Sequence, residues 1–245
     1  MGALRRSGER LMLVVHSGAL MPHPPPPPDP QTVLLIHPDS VLGIIDQSAY
    51  AHPLTVSVVT HDGTNPSPSQ SESMANASTN SGDVTANSSI DFSRAANEPF
   101  TIEFSIWIEP EVAAPTQMYF MGWDSGHYHT ATALGGNLFR LTYTDGSNHP
   151  YGDIAGGEWH QLAIAYDGSY FRTFLNGVMV AEDGPGAVAI ALPGAQEFGV
   201  FKLPQRVDLA RLAGRLAEVR LTMGLARYTA NYTPATTPFP NPSAP

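Results

Sequence analysis

From residue 100 to residue 108 the chain alternates. Phe100, Ile102, Phe104, Ile106 and Ile108 are apolar, and Thr101, Glu103, Ser105 and Trp107 stand between them. A period of two belongs to an extended strand, whose side chains point to opposite faces in turn. The pattern predicts a half-buried strand of an antiparallel sheet, with the odd-numbered set facing solvent. Shorter runs with strand character follow the same logic at Val33–Ile36, Leu54–Val59, Met118–Met121, Leu138–Tyr143, Trp159–Tyr166, Phe198–Phe201 and Leu216–Leu221. Tyr170–Leu175 and Val178–Ala181 flank Asn176-Gly177, the dipeptide that best fits a tight hairpin because both turn residues need positive φ. Residues 205–213 place Val207, Leu209 and Leu212 on one side and predict a short helix ended by Gly214. Residues 60–90, about half of them Ser, Thr or Asn, predict an exposed loop or an edge strand. Many short strands between Gly-rich turns make an all-β jelly-roll β-sandwich of two antiparallel sheets the expected fold class.

Composition removes several functions. The chain of 245 residues has no cysteine, so thiolate metal sites, disulfide scaffolds and cysteine nucleophiles are excluded. Its formal net charge is −10, which gives no global attraction to nucleic acid or to an anionic membrane. No apolar run approaches the roughly 20 residues of a membrane-spanning helix, so no membrane insertion is expected. The N-terminal stretch holds Arg5, Arg6 and Arg10 before Leu11-Met12-Leu13-Val14-Val15, an apolar run shorter than a secretory h-region. We read it as an arm. Pro24 to Pro28 lack amide donors and have φ fixed, so they predict a stiff polyproline rod between that arm and the body. The division is therefore an extended arm over 1–30 and a sandwich domain over 31–245. Leu11, Leu13, Val14 and Val15 are the candidate docking residues, with a composition suited to adding a strand to a neighbour's sheet. Self-association into a homo-oligomer is expected.

Several segments resemble a known family. Phe100–Ile108 resembles the "FTIEFWV" strand of laminin-G-like domains in the concanavalin A-like lectin/glucanase superfamily, although Ser105 stands where the family usually has Trp. Gly157-Glu158-Trp159-His160-Gln161-Leu162-Ala163, Phe174-Leu175-Asn176-Gly177-Val178 and residues 214–222 resemble its later strands. The ends, Pro28-Asp29-Pro30 with Val33–His37, Asp46-Gln47-Ser48 with His52, and Gly224–Pro234 followed by Pro238-Phe239-Pro240, resemble such domains in bacteriophage particle proteins. The resemblance covers about 30–245. It implies a non-enzymatic virion protein on the particle surface, decorating a capsid or attached to a tail. Its partners would be capsid or tail proteins, further copies of itself and host-surface glycans. The alternative is a carbohydrate-binding module or adhesin acting through an aromatic sugar site.

The glucanases of that superfamily set two carboxylates on alternate residues of one strand, as double displacement requires. Here Ser105 and Trp107 follow Glu103, and Pro110 separates Glu109 from Glu111, so no such pair is formed. No G-x-S-x-G elbow and no phosphate loop occurs. His127 and His129 form an H-x-H pair without a third ligand in view, so no metal or cofactor is assigned. Calcium is the one ion to test, with Asp124, Asp145, Asp153 and Asp167 as loop candidates. Among the aromatics Tyr119, Phe120, Trp123, Tyr128 and Tyr143, the candidate glycan-binding residues are Trp123, Tyr128 and Tyr143. Arg227-Tyr228 is expected to pin the C-terminal tail to the sandwich through stacking and bonds to carbonyls.

Overall fold

A computed structural model describes residues 31–240 apart from 64–66, 70–71, 78–81, 111–116, 125, 205 and 207–208, and without the side chain of Asp124. The arm over 1–30, its rod and docking residues, and Glu111 lie outside the described residues. Fifteen strands build two sheets: β1 (Thr32–Ile36), β2 (Leu54–Ser57), β3 (Thr60–Asp62), β4 (Ser73–Asn76), β5 (Asp83–Ser89), β6 (Phe100–Ile108), β7 (Gln117–Asp124), β8 (His127–Gly135), β9 (Leu138–Asp145), β10 (Asn148–Ala155), β11 (Trp159–Tyr166), β12 (Phe171–Leu175), β13 (Val178–Asp183), β14 (Gln196–Val200) and β15 (Gly214–Met223). One sheet has eight strands in the order β13-β12-β11-β6-β15-β4-β3, with β1 paired to β15; the other has seven, β10-β9-β8-β7-β14-β5-β2. Every strand pair is antiparallel. The expected all-β sandwich is what forms, and the only helical element among the described residues is a single 3-10 turn at Ile90–Phe92.

The core lies between the sheets. Phe100, Ile102, Phe104, Ile106 and Ile108 of β6 and Leu162, Ile164 and Tyr166 of β11 belong to one buried cluster with Met118, Phe120, Leu141 and Tyr143 of the other sheet. The Asn176-Gly177 hairpin is present, with φ of 50° and 79°. At Gly177 a Cβ would stand 2.1 Å from the Tyr232 carbonyl oxygen, so the tail's close approach also requires glycine there.

Three expectations change. The polar segment 60–90 supplies the expected edge strand, β3, but also inner strands, β4 between β15 and β3 and β5 between β14 and β2. Two of its buried polar groups are held by distant partners: the Asn76 amide donates to the Leu212 carbonyl at 2.8 Å, and Asp83 binds Lys202 at 2.8 Å. Hydrogen bonding replaces apolar content as the qualification for burial. Residues 209–213 are extended, not helical. The Tyr119 amide donates to the Ala210 carbonyl and the Leu212 amide to the Tyr119 carbonyl, so this segment runs along β7. Third, β6 is buried on both faces. The cover over Thr101, Glu103 and Ser105 is the C-terminal tail.

That tail crosses the outer face of the eight-stranded sheet. Arg227 donates to the hydroxyls of Thr222 at 2.7 Å and Thr32 at 2.9 Å, and its amide donates to Thr101. Hydroxyls thus join carbonyls in pinning the tail: the Thr101 side chain also donates to the Leu225 carbonyl at 3.0 Å. Tyr228 donates to Glu103 at 2.8 Å and stacks on Tyr232 with ring centroids 3.7 Å apart. Both rings meet Phe174, which with Ala163 and Ala165 forms a second, smaller apolar cluster. Farther on, Gln161 donates to the Ala235 carbonyl, the Phe239 amide donates to Glu218 at 2.6 Å, and the Arg220 guanidinium lies over the Phe239 ring. Glu218 is the extra residue of a bulge between Ala217 and Arg220, with φ of 54°. The bulge brings Arg220 opposite Glu103, 2.9 Å from its carboxylate.

Candidate functional site

The outer face of the seven-stranded sheet is the counterpart surface, and the strand register assembles it. On β8, Tyr128, Thr130 and Thr132 share one face. Their neighbours on β9 are Thr144, Thr142 and Arg140, and on β7 Gly122, Tyr119 and Gln117. On β10 the row continues with Asn148, Pro150 and Asp153. Alternate residues of the same strands, Met118, Phe120, His129, Ala131, Leu141 and Tyr143, are buried on the inner side. The face therefore offers hydroxyls, amides and an ion pair on a rigid scaffold.

Two features stand out on it. The rings of Tyr119 and Tyr128, both half-buried, lie 5.3 Å apart and tilted by 54°, and Tyr119 donates to Gln117 at 3.2 Å. Toward the other end Arg140 holds Asp153 in a two-pronged contact at 2.8 and 3.0 Å. That pairing lowers the Asp153 carboxyl below its ordinary range, with the Arg140 hydrogen bond as the main cause. Tilted aromatic rings flanked by hydroxyl and amide groups can receive a sugar ring on its apolar face while satisfying its hydroxyls.

Of the residues expected to bind glycan, only Tyr128 lies on this surface. Trp123 is 3% exposed and Tyr143 is fully buried. Trp123 packs on Phe198 with ring centroids 4.9 Å apart, and Tyr143 packs against Phe100 and His129. Neither presents a ring face to solvent, so the three do not form one platform. Gln117, Thr132, Arg140, Thr142, Thr144 and Asn148 were not singled out in the sequence, and Asp153 was singled out only as a calcium candidate. The signal that finds them is the polar alternation Tyr128-x-Thr130-x-Thr132 and Arg140-x-Thr142-x-Thr144.

The histidine pair also resolves into structure. His127 lies 3.1 Å from Asp145, and His129 bonds the Tyr151 hydroxyl at 2.9 Å. Burial drives the His129 pKa down to about 3, so its imidazole is neutral. The described calcium candidates do not fit a cation, because each already faces an arginine: Asp145 with Arg94 at 2.7 Å, Asp153 with Arg140, and Asp167 with Arg172 at 2.6 Å. Among the described residues no group of three or more His, Cys, Asp or Glu could hold a metal ion.

Comparison with known proteins agrees with this architecture. A laminin G family model, described as concanavalin A-like lectin/glucanases superfamily, matches residues 78–223. No curated protein matches the sequence. Domain 4 of AbnA, an extracellular GH43 arabinanase from Geobacillus stearothermophilus solved in complex with arabinotriose, superposes with a TM-score of 0.53 at 14% identity, over 74% of this chain and 87% of that one. The binding domain of Paraclostridial Mosquitocidal Protein 1 gives 0.58 at 13% identity, over 81% and 50%. Botulinum neurotoxin type C, which depends on interaction with two ganglioside molecules for entering cells, gives 0.54 at 13%, over 78% and 47%. The match thus spans about half the length of the two toxin chains. At these identities the likeness establishes the fold.

Proposed function

The chain belongs to the concanavalin A-like lectin/glucanases superfamily as a laminin G-type domain, and from that premise we propose that it is a non-enzymatic, glycan-binding sandwich carried on a bacteriophage particle. The observation that carries the glycan-binding half is the asymmetry of the two outer faces. One is sealed by the tail, and the other presents Tyr119 and Tyr128 among hydroxyl and amide side chains. Arabinotriose on the AbnA domain and gangliosides for the type C toxin support sugars as the ligand class for a sandwich of this shape.

The non-enzymatic half rests on the carboxylates. Glu103 is 3% exposed and occupied by Arg220 and Tyr228, and Glu109 faces Arg215. Hydrolysis with retention needs two carboxyl groups about 5–5.5 Å apart across the scissile bond. Glu103, held by Arg220 and Tyr228 beneath the tail, is not free to act as one of such a pair.

The particle setting is supported by the motifs at the two ends of the domain. Both act as fasteners. Asp46 accepts from the amides of Leu35, Ser48 and His52, and Arg227-Tyr228 anchors the tail. Copies arrayed by capsid or tail proteins would turn a weak sugar contact into firm attachment, because linked sites raise the effective concentration.

Two measurements test the reading. A glycan array probed with the full chain displayed on beads should give saturable oligosaccharide binding that Tyr128→Ala weakens at least tenfold. Mass spectrometry of gradient-purified particles should find the chain in fixed ratio to the major capsid protein. Binding without particle association would leave a free carbohydrate-binding module, and fixed association without sugar binding would leave a structural decoration protein.

A further inference from the structure

At one end of the sandwich the two sheets meet. β10 is the edge of the seven-stranded sheet and β13 the edge of the eight-stranded one. His149 of β10 and Asp183 of β13 bridge them, Nδ1 to Oδ2, at 2.8 Å. Beside this bridge is a cleft of about 270 Å³, lined by Ser147, Asn148, His149, Phe171, Asp183 and Ala187, with Val188 on its wall. It is separate from the tyrosine pair of the open face, and none of its residues was a sequence candidate.

Its polar groups are oriented from behind. The His149 side chain is 4% exposed, stacks on Phe171 with ring centroids 4.2 Å apart, and fixes one oxygen of Asp183. The Asp183 side chain is 52% exposed, and its other oxygen accepts no hydrogen bond from the described residues. The Thr144 hydroxyl donates to the Asn148 side-chain oxygen at 2.9 Å, which leaves the Asn148 amide hydrogens to donate outward. The cleft therefore presents a held acceptor and a held donor beside the apolar surface of Ala187 and Val188. Adjacent sugar hydroxyls, each able to donate and accept, complement that pair. The volume sits just below the roughly 300–1,000 Å³ of pockets for drug-sized ligands, which suits one ring and excludes a chain of several. Asp183 brings a negative charge, and the cleft holds no lysine or arginine to offset it.

We propose that this cleft is a pocket for a single neutral sugar residue with adjacent hydroxyls, selective against acidic sugars. The proposal rests on the glycan-binding reading but assigns a second site, which shares only Asn148 with the margin of the open face. The test is saturation-transfer NMR and calorimetry on the full chain. The probes are the methyl glycosides of glucose, galactose and mannose, with glucuronic acid and N-acetylneuraminic acid for comparison. At least one neutral glycoside should bind, both acids should bind at least tenfold more weakly, and Asp183→Asn and Asn148→Ala should each weaken the neutral sugar at least tenfold. Thermal melting of both variants checks that they are folded. Binding that survives Asp183→Asn but falls in Tyr128→Ala would overturn the cleft and leave the open face as the sugar site. A monosaccharide signal equal for neutral and acidic sugars would overturn the stated selectivity, and no sugar signal from either site would overturn both readings.

Discussion

The two sheets of this sandwich share a core but have opposite outer faces. The face of the eight-stranded sheet holds Glu103, Thr101 and Thr222, which are buried because residues 225–239 lie over them. The equivalent face of the seven-stranded sheet holds Tyr128, Thr142, Thr144 and Arg140, which reach solvent. Both faces are polar in sequence. What separates them is the partner: a buried carboxylate needs fixed donors and counter-charges, and the tail supplies some of them. One face is an internal joint, and the other is left for something outside the molecule.

Removing the joint should have the largest effect. A chain ending at Met223 loses the Tyr228 and Arg227 contacts to Glu103 and the cover over Phe174. Breaking a buried charge network costs about 3–5 kcal/mol, before any apolar area is counted. The expected outcome is loss of a cooperative thermal transition by circular dichroism, and a transition at the full-length temperature would show the tail to be ornamental. Tyr228→Phe is milder. It removes one hydrogen bond to a carboxylate, worth about 1.5–3 kcal/mol, readable as a lowered urea midpoint with an unchanged slope.

Acid sharpens the comparison from the inside of the other sheet. His129 is neutral in the folded state, with its pKa lowered to about 3 by burial, while in the unfolded chain it titrates near the ordinary histidine value of 6.5. The unfolded state binds the extra proton first, so this contribution to stability is complete above about pH 6.5 and is lost progressively down to about pH 3. Between pH 7 and pH 5 the loss should be about 2 kcal/mol by urea denaturation, and His129→Phe should flatten that slope. The smallest stability effect should come from the open face. Tyr128→Ala should lower stability by less than about 1 kcal/mol, as surface changes do, yet weaken oligosaccharide binding to the open face at least tenfold. A large destabilisation there would mean that this face too is structural.

The alternation at Phe100–Ile108 made the inner face of β6 legible, because burial against the opposite sheet imposes a period of two. Its outer face was not legible, since the residues that cover Glu103 lie more than 120 positions away in the chain. The same distance problem hid β4 and β5. Asn76 and Asp83 look like loop residues until Leu212 and Lys202 are brought to them. At the candidate site, Trp123 and Tyr143 were selected by residue type, whereas the parity of the strands decides which rings face outward. Tyr128 and Tyr143 lie on neighbouring strands with opposite parity, and that parity could have been counted.

The strap of residues 225–239 also sets an order of events. As the chain emerges during synthesis, β6 is made early and its Glu103 waits for the rest of the sheet and then for the tail. Contacts of such long sequence separation are slow to form. Until they do, a face built around a bare carboxylate and the Phe174 ring stays open to other chains, which is how incompletely folded domains aggregate. The last stretch of the described sequence therefore serves as a closing latch, and the time between making the sheet and making the latch is when a chaperone would matter most.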